Sequence, residues 1–448
     1  VARLSPDMAF LIGAAYPEAQ ALPYYPVIQA LRSLCRQSVK SARAPLLQWL
    51  PRSLDPVWLV EVSRVLPELG SLYPDLPLPL PAASEEARSR LFEALAQVVI
   101  GLSTSPVFLR SHSALVLCLE DLHWADHATL DWLVHLGRRI RGNHLLVLGS
   151  YRSEEAEKLL PLRQDLYSAG ALSELPLKGL DTPAIHLLLS HLTGGERDGM
   201  DQFAEHLQSA TGGNPFFVIE VLKAMMERGW LPEKWSSGMD IPLPDSVRGL
   251  IESRLQRLSS LGRQVLEAGA IAGPAFDFDL VRAIAGRREM EVVNGLDELV
   301  ARELLLEQDS VYRFHHELVE RTVYEALSPL RRQLLHRRAG WMLARLSPEE
   351  AGLLARHFDL GGEVRQALSY YERAVQSAEA LFAWKEVEQY QKRMLALLDK
   401  LDPLQNQPET VLQRGLILLK QAHLYYLQRR LAERDAALKA VFLLAEKP

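Results

Sequence analysis

Cysteine is scarce: Cys35 and Cys118 are the only two in 448 residues. Two cannot form a disulfide framework, and Cys118 lies inside an apolar strand pattern, so a reducing, cytoplasmic setting is expected. Long apolar runs are also missing. No segment approaches the roughly 18 residues of a membrane span. The apolar stretch 8–16 is short and lacks a basic leader with a cleavage pattern, so no membrane partner is expected. Nor is positive charge in excess. The formal charge is −6, which argues against the chain itself binding nucleic acid or an anionic membrane.

What is present is ordinary globular material. Hydrophobic residues at 48% and charged residues at 24% suffice for several cores, and the length suits about three domains. The first residue is Val1 and the last, Pro448, directly follows a helical pattern. The chain is therefore expected to be an internal piece of a longer protein.

Leucine and alanine at helical spacing dominate, and punctuation divides the chain into regions 1–173, 174–240, 241–346 and 347–448. In the first, residues 9–14, 115–119 and 145–148 read as short buried strands. Pro23, Tyr24, Tyr25 and Pro26 make a turn before a helix around 27–35. Pro74, Pro77, Pro79 and Pro81 mark an extended loop, after which Ser84 caps a helix carrying Leu91, Leu95, Val98 and Val99. Leu130, Leu133, Val134 and Leu136 give a further helix between the last two strands. Strand, helix, strand implies a parallel sheet covered by helices. The second region is helical and holds Gly212-Gly213-Asn214-Pro215-Phe216-Phe217, a turn that opens a helix. In the third, helices precede two β-like runs, 304–306 and 311–314, around Glu307-Gln308-Asp309-Ser310, which suggests a hairpin and a winged helix. The fourth is helix-turn-helix throughout, with Gly361-Gly362, Pro403 and Pro408 as breaks. It suggests an α-solenoid of tetratricopeptide-like repeats. The expected fold is mostly α with an α/β core, a helical lid, a winged helix and a C-terminal solenoid.

The chemistry concentrates after the second strand. Residues 115–119 are apolar, and Glu120 and Asp121 follow where that strand emerges at its carboxyl end. Open α/β sheets place ligands at that edge. One carboxylate there can hold magnesium while its neighbour polarises a water. A buried strand ending in a solvated acidic turn would look the same.

The longer string Glu120-Asp121-Leu122-His123-Trp124-Ala125-Asp126 resembles the Walker B segment of the STAND class, signalling ATPases related to AAA+ proteins. The likeness is to ATPase modules of large bacterial transcription regulators and of some nucleotide cyclases and kinases. Three further segments follow in the order that class has. Residues 145–152, LLVLGSYR, resemble its sensor strand, and Gly213-Asn214-Pro215-Phe216-Phe217 resembles its lid motif. Residues 312–318, YRFHHEL, resemble its winged-helix segment. The resemblance implies ATP or ADP with Mg2+ as cofactors. It assigns Glu120 and Asp121 to magnesium and water, and Arg152 to the terminal phosphate. It places Asn214 and Pro215 by the adenine and His316 by the phosphates. Without it, Arg152 is a surface arginine after a core strand, Pro215 a helix-initiating residue, and His316 a satisfied histidine at a helix start.

One part of the class pattern is missing. No Gly-x-x-x-x-Gly-Lys-[Ser/Thr] loop, which cradles phosphates, occurs in the chain. It is expected upstream of the first strand, so this stretch alone should bind ATP poorly. His123 and His127, four apart, invite a zinc site, but the pattern lacks the glutamate of His-Glu-x-x-His and is disfavoured. Arg331, Arg332, His336, Arg337 and Arg338 read as a solvated helix face. Tyr370, Tyr371, Tyr390, Tyr425 and Tyr426 read as packing between helices. The expected function is an ATP-dependent regulatory switch, with transcription as the output. The expected partners are the nucleotide, a small-molecule or protein inducer on the repeats, a second copy in self-association, and DNA only through an effector outside this chain. The alternatives are a non-catalytic scaffold and a regulatory segment of a nucleotide cyclase or kinase.

Overall fold

The computed structural model describes residues 8–17, 19–40, 54–77, 79, 85–109, 112–195, 199–227, 247–308 and 310–445. Pro81, the cap Ser84, the start of the third region at 241 and Asp309 of the hairpin turn lie outside the described residues, as does the Cys35 side chain. The chain divides into two compact units. One combines Val1–Ser173 with His336–Pro448, and the other is Glu174–Leu335. Helices dominate both, and among the described helices none is long and apolar enough to cross a membrane.

The first unit is built on three parallel strands, β1 (Met8–Ala14), β2 (Ala114–Glu120) and β3 (Leu145–Gly149), in the order β1-β2-β3. All three expected strands are present. Leu117 of β2 pairs with Leu11 on one side and Val147 on the other. Leu11, Leu115, Leu117 and Leu119 are buried on one face. There α1 (Tyr25–Lys40) comes so close that a Cβ on Gly13 would stand 1.8 Å from the Pro26 carbonyl oxygen. Only glycine permits that approach.

Among the described residues, helices cover this face, while the other is only partly covered, with Val116 buried. On the other face Met8, Ile12, Leu146 and Leu148 are 38%, 48%, 53% and 47% exposed. The strand order explains this. Right-handed crossovers that advance in one direction put every connecting helix on the same side, and no reversal occurs among the described strands.

The connecting segments include α2 (Pro56–Val62) and α3 (Glu85–Thr104). Helix α3 buries Ala87, Leu91, Leu95, Val98 and Leu102, a stripe at intervals of three and four residues. It packs on α4 (His127–Gly137), whose fully buried Trp132 donates its indole N–H to the Phe92 carbonyl at 3.2 Å. After β3 come a 3-10 turn, Ser153–Leu159, and α5 (Leu160–Ser168).

The second unit starts with α6 (Thr182–Thr193), α7 (Met200–Thr211) and α8 (Pro215–Glu227), which share a core including Ile185, Phe203, Leu207, Val218 and Leu222. It continues with α9 (Val247–Gln256), α10 (Ser260–Ala272), α11 (Phe278–Ala285), α12 (Glu289–Ala301) and α13 (Glu317–Ala326). The expected hairpin is present: β5 (Leu305–Gln308) and β6 (Val311–Phe314) pair antiparallel, and β4 (Ala275–Asp277) adds on the far side of β6.

Helix α14 (Pro329–Leu346) contains the division between the units, and α15 (Ala351–Leu360), α16 (Val364–Ala380), α17 (Trp384–Leu401), α18 (Pro408–Leu427) and α19 (Leu431–Ala445) follow as successive hairpins. Tyr371, Tyr390 and Tyr425 are buried among them as expected, but Tyr426 is exposed. His336 also departs from expectation. It is buried rather than solvated, with Nδ1 3.1 Å from Nδ1 of the equally buried His357. Its neighbours at 337 and 338 hid this, because a helix carrying charge on one face still turns every third or fourth residue inward.

Candidate functional site

Because β2 is the middle strand, its carboxyl end is held from two sides. Ser150, just after β3, fastens the turn beyond it. Its N–H donates to the Leu119 carbonyl at 3.0 Å, and its carbonyl accepts the Leu122 N–H at 2.8 Å. Its hydroxyl accepts the Asp121 N–H at 3.1 Å. Asp121 is left-handed, with φ 56° and ψ 46°, a conformation that aspartate tolerates better than most residues. The kink ends the strand and leaves two carboxylates at its edge. Glu120 is exposed and the Asp121 side chain is 39% exposed.

His123 lies behind them, its side chain fully buried. Its Nδ1 accepts the Arg152 N–H at 3.4 Å and stands 4.0 Å from Asp121 Oδ1, while Nε2 is 3.8 Å from a Glu155 oxygen. An accepting Nδ1 means a neutral ring with its proton on Nε2. Burial, the largest influence, lowers the pKa of His123, against the opposing pull of Asp121 and Glu155. The Arg152 guanidinium is 3.9 Å from Glu155. The structure thus brings Glu120, Asp121 and Arg152 to one end of the sheet, through Ser150 and His123. Nothing in the sequence marks Ser150 for this role. A lone serine after a strand carries no signal.

Adjacent, accessible carboxylates are hard oxygen donors and suit a magnesium ion that keeps several waters and shares phosphate oxygens. The residues present fit that metal. A zinc site at His123 and His127 does not fit. His123 belongs to the 3-10 turn Leu122–Trp124 and His127 starts α4, so the two do not share a helix face. No group of three or more His, Cys, Asp or Glu side chains is placed to hold a metal among the described residues. Asp126, the last residue of the same string, is away from the edge. It is buried and caps α4.

The other three expected residues lie in the second unit. Gly213 has φ +71°, and a Cβ there would stand 2.1 Å from the Leu180 oxygen, so this turn requires glycine. Asn214 Oδ1 accepts the Phe216 N–H at 3.0 Å, and Pro215 is the first residue of α8. His316 caps α13, Nδ1 accepting the Leu318 N–H at 3.1 Å. Its ring stacks on Phe216 with centroids 3.7 Å apart and planes 17° from parallel. The fold therefore brings the Asn214-Pro215 turn and His316 together, through an aromatic contact that the sequence reading did not foresee. Both segments also have complete local roles as helix starts.

Residues 1–148 match the family model of the AAA ATPase domain. Among curated proteins, an uncharacterized protein of Rhizobium meliloti (strain 1021) is 26% identical over 302 residues, covering 63% of this chain and 28% of that protein. The hybrid signal transduction histidine kinase G of Dictyostelium discoideum is 24% identical over 173 residues, covering 37% of this chain and 5% of the kinase. The chain thus spans well under half of either relative. Among solved structures, a STAND protein with a tetratricopeptide repeat sensor from Pyrococcus horikoshii aligns over 99% of this chain and 63% of its own, at 13% identity and a TM-score of 0.43. A Walker-type ATPase of Pyrococcus abyssi aligns over 71% of this chain and 91% of its own, at 13% identity and a TM-score of 0.23. The parallel sheet and the acidic end of its middle strand agree with the match of residues 1–148 to the AAA ATPase domain.

Proposed function

We propose that this chain is the regulatory ATPase switch of a larger signalling protein. The observation that carries the reading is the pair Glu120 and Asp121 at the end of the middle strand of a domain matching the AAA ATPase family, with Arg152 on the adjoining segment. Glu120 would help hold magnesium, and Asp121 would orient the attacking water or assist the metal. Arg152 would meet the terminal phosphate. Bound magnesium and nucleotide would supply the reactive phosphoryl group and its charge neutralisation. The phosphates need an anchor besides these residues, since the glycine-rich lysine loop does not occur in the 448 residues.

In this reading 1–173 is the nucleotide core, 174–240 a helical lid, 241–346 a winged helix and 347–448 a set of tetratricopeptide-like repeats. Asn214 and Pro215 would pack near the adenine, and His316 would sense phosphate. The repeats would receive a small-molecule or protein inducer, and self-association would accompany activation. Transcription is the proposed output, with DNA reached through an effector outside this chain. The likeness to a histidine kinase favours, as a second reading, a regulatory segment of a kinase.

The test is hydrolysis by the full-length gene product. Glu120→Gln and Asp121→Asn should each cut turnover by about a hundredfold or more while nucleotide binding, read by fluorescence titration, is retained. Unchanged turnover in both variants rejects the assignment.

A further inference from the structure

The start of α4 is capped from two directions. An α-helix leaves its first amides without partners inside the helix. In α4 the Thr129 N–H donates to Asp126 Oδ1 at 2.8 Å, and the His127 N–H donates to Glu386 Oε1 at 2.8 Å. Asp126 is the local cap, whereas Glu386 comes from α17, 259 residues along the chain. Both carboxylates are buried, and both sit at the positive end of the helix.

The contacts extend to both functional segments. Asp126 Oδ1 also accepts the Tyr24 N–H at 2.9 Å, and the Tyr24 hydroxyl donates to the Leu381 carbonyl at 3.1 Å, just ahead of α17. Tyr24 is fully buried in the left-handed region (φ 59°), a strain that surrounding contacts must hold. Lys158, from the turn that follows Arg152, donates to the Ala125 carbonyl. Its ammonium is attracted by both Asp126 and Glu386. Between Asp121 and Asp126 the chain is a tight turn, with Trp124 N–H on the Asp121 carbonyl (2.8 Å) and Ala125 N–H on the Leu122 carbonyl (3.0 Å). A shift of Asp126 therefore reaches Asp121 through hydrogen-bonded backbone.

We propose that Glu386 is the positioning residue through which the C-terminal helices hold the turn carrying Glu120 and Asp121, so that displacement of α17 is passed to the acidic edge of β2. The physical warrant is a continuous path of partly buried hydrogen bonds and short backbone links from Glu386 through His127 and Asp126 to the turn at Asp121. The regulatory meaning rests on the ATPase reading; the coupling itself does not.

Six segments bring titratable groups to the junction. The turn before α4 supplies Asp126, and α4 itself supplies His127, whose Nδ1 is 3.4 Å from Glu386, and Asp131. The turn after β3 supplies Lys158. Helix α17 supplies Lys385, 3.6 Å from Asp131, and the buried Tyr390. Arg88 reaches in from α3, 2.6 Å from Asp131, and Tyr24 lies against the pair. Asp126 is raised to about 6 by burial first and by Glu386 second.

Hydrogen–deuterium exchange on the 448-residue chain, without nucleotide, tests the proposal. Glu386→Ala should speed exchange of residues 122–130 at least tenfold and leave residues 260–272 of the second unit unchanged. Glu386→Gln keeps an oxygen acceptor for the His127 N–H and should restore the protection. It should also move the pH at which that protection changes to a lower value, since one cause of the raised Asp126 pKa is gone. Exchange of 122–130 within twofold of wild type in Glu386→Ala overturns the proposal. So does a Glu386→Gln protein that exchanges as fast as the alanine variant. Should the alanine variant fail to fold, the pH profile of Glu386→Gln decides, and an unmoved profile overturns it. Because no nucleotide is present, the outcome is independent of whether Glu120 and Asp121 support hydrolysis.

Discussion

Replacing Asp126 by asparagine should stabilise the protein at neutral pH, although the carboxylate makes three hydrogen bonds. Oδ1 accepts the Tyr24 and Thr129 N–H groups, and Oδ2 accepts the Thr129 hydroxyl at 2.6 Å. Asparagine keeps the first two on its oxygen, and its amide can donate to the threonine oxygen instead. What it removes is a buried negative charge beside Glu386. The pKa of Asp126 rises from 3.8 to about 6, so the folded state binds this proton more tightly than the unfolded chain does. The linked cost to folding is fully present above pH 6, shrinks as pH falls through 6, and is gone below 4. At 1.36 kcal/mol per unit the cost is about 3 kcal/mol. Urea unfolding of wild type and Asp126→Asn, followed by circular dichroism from pH 4 to 8, measures it. The variant should be more stable by up to about 3 kcal/mol at pH 8, with the difference closing toward pH 4. Asp126→Ala strips the cap and orphans two buried N–H groups, so it should lose about 3 kcal/mol or more at pH 4, a loss that shrinks toward pH 8 because the same charge is removed. An asparagine variant less stable than wild type by more than about 1 kcal/mol at pH 8 would refute the reasoning, since the charge would then be net favourable.

Two further outcomes follow from the geometry. Burial, then His336 and Arg356, hold the pKa of His357 well below the ordinary histidine value. The folded state therefore resists a proton that the unfolded chain takes up, and stability should fall as pH drops below about 6.5. Comparing urea midpoints at pH 7 and 5, His357→Leu should flatten that slope. In the second unit, Gly213→Ala should cost about 2–4 kcal/mol, because it combines a left-handed φ with a Cβ against the Leu180 oxygen. Thermal unfolding reads this, and a shift of under a degree would contradict the geometry.

Short-range patterns in the sequence carry through to the structure. Continuous apolar residues placed β1, β2 and β3, because a buried parallel strand must be apolar on both faces. The β5–β6 hairpin followed from two β-like runs around a polar turn, and Pro215 after Asn214 marked the start of α8. Glu120, Asp121 and Arg152 were legible as a group, because strand ends in such a sheet converge on one edge. Partners remote in the chain were not legible. His336 looks solvated among arginines until His357 is seen against it. Tyr24 reads as a turn residue, but its N–H is held by Asp126 and its hydroxyl reaches Leu381.

The sequence by itself determined the elements and the carboxylates at the end of β2, because strand and helix periods, caps and turn residues act within a few positions. Tertiary structure alone decided what those carboxylates lean on. Asp126 sits five residues from Asp121 in the same string, yet its charge state depends on its burial and then on Glu386, 260 positions away. Burial and electrostatics act through space, and nothing local in either segment marks the other as its neighbour. The sheet face carrying Ile12 and Leu148 makes the same point. Apolar strands call for cover on both sides, but which side receives a helix depends on strand order, and that exists only once the strands have paired.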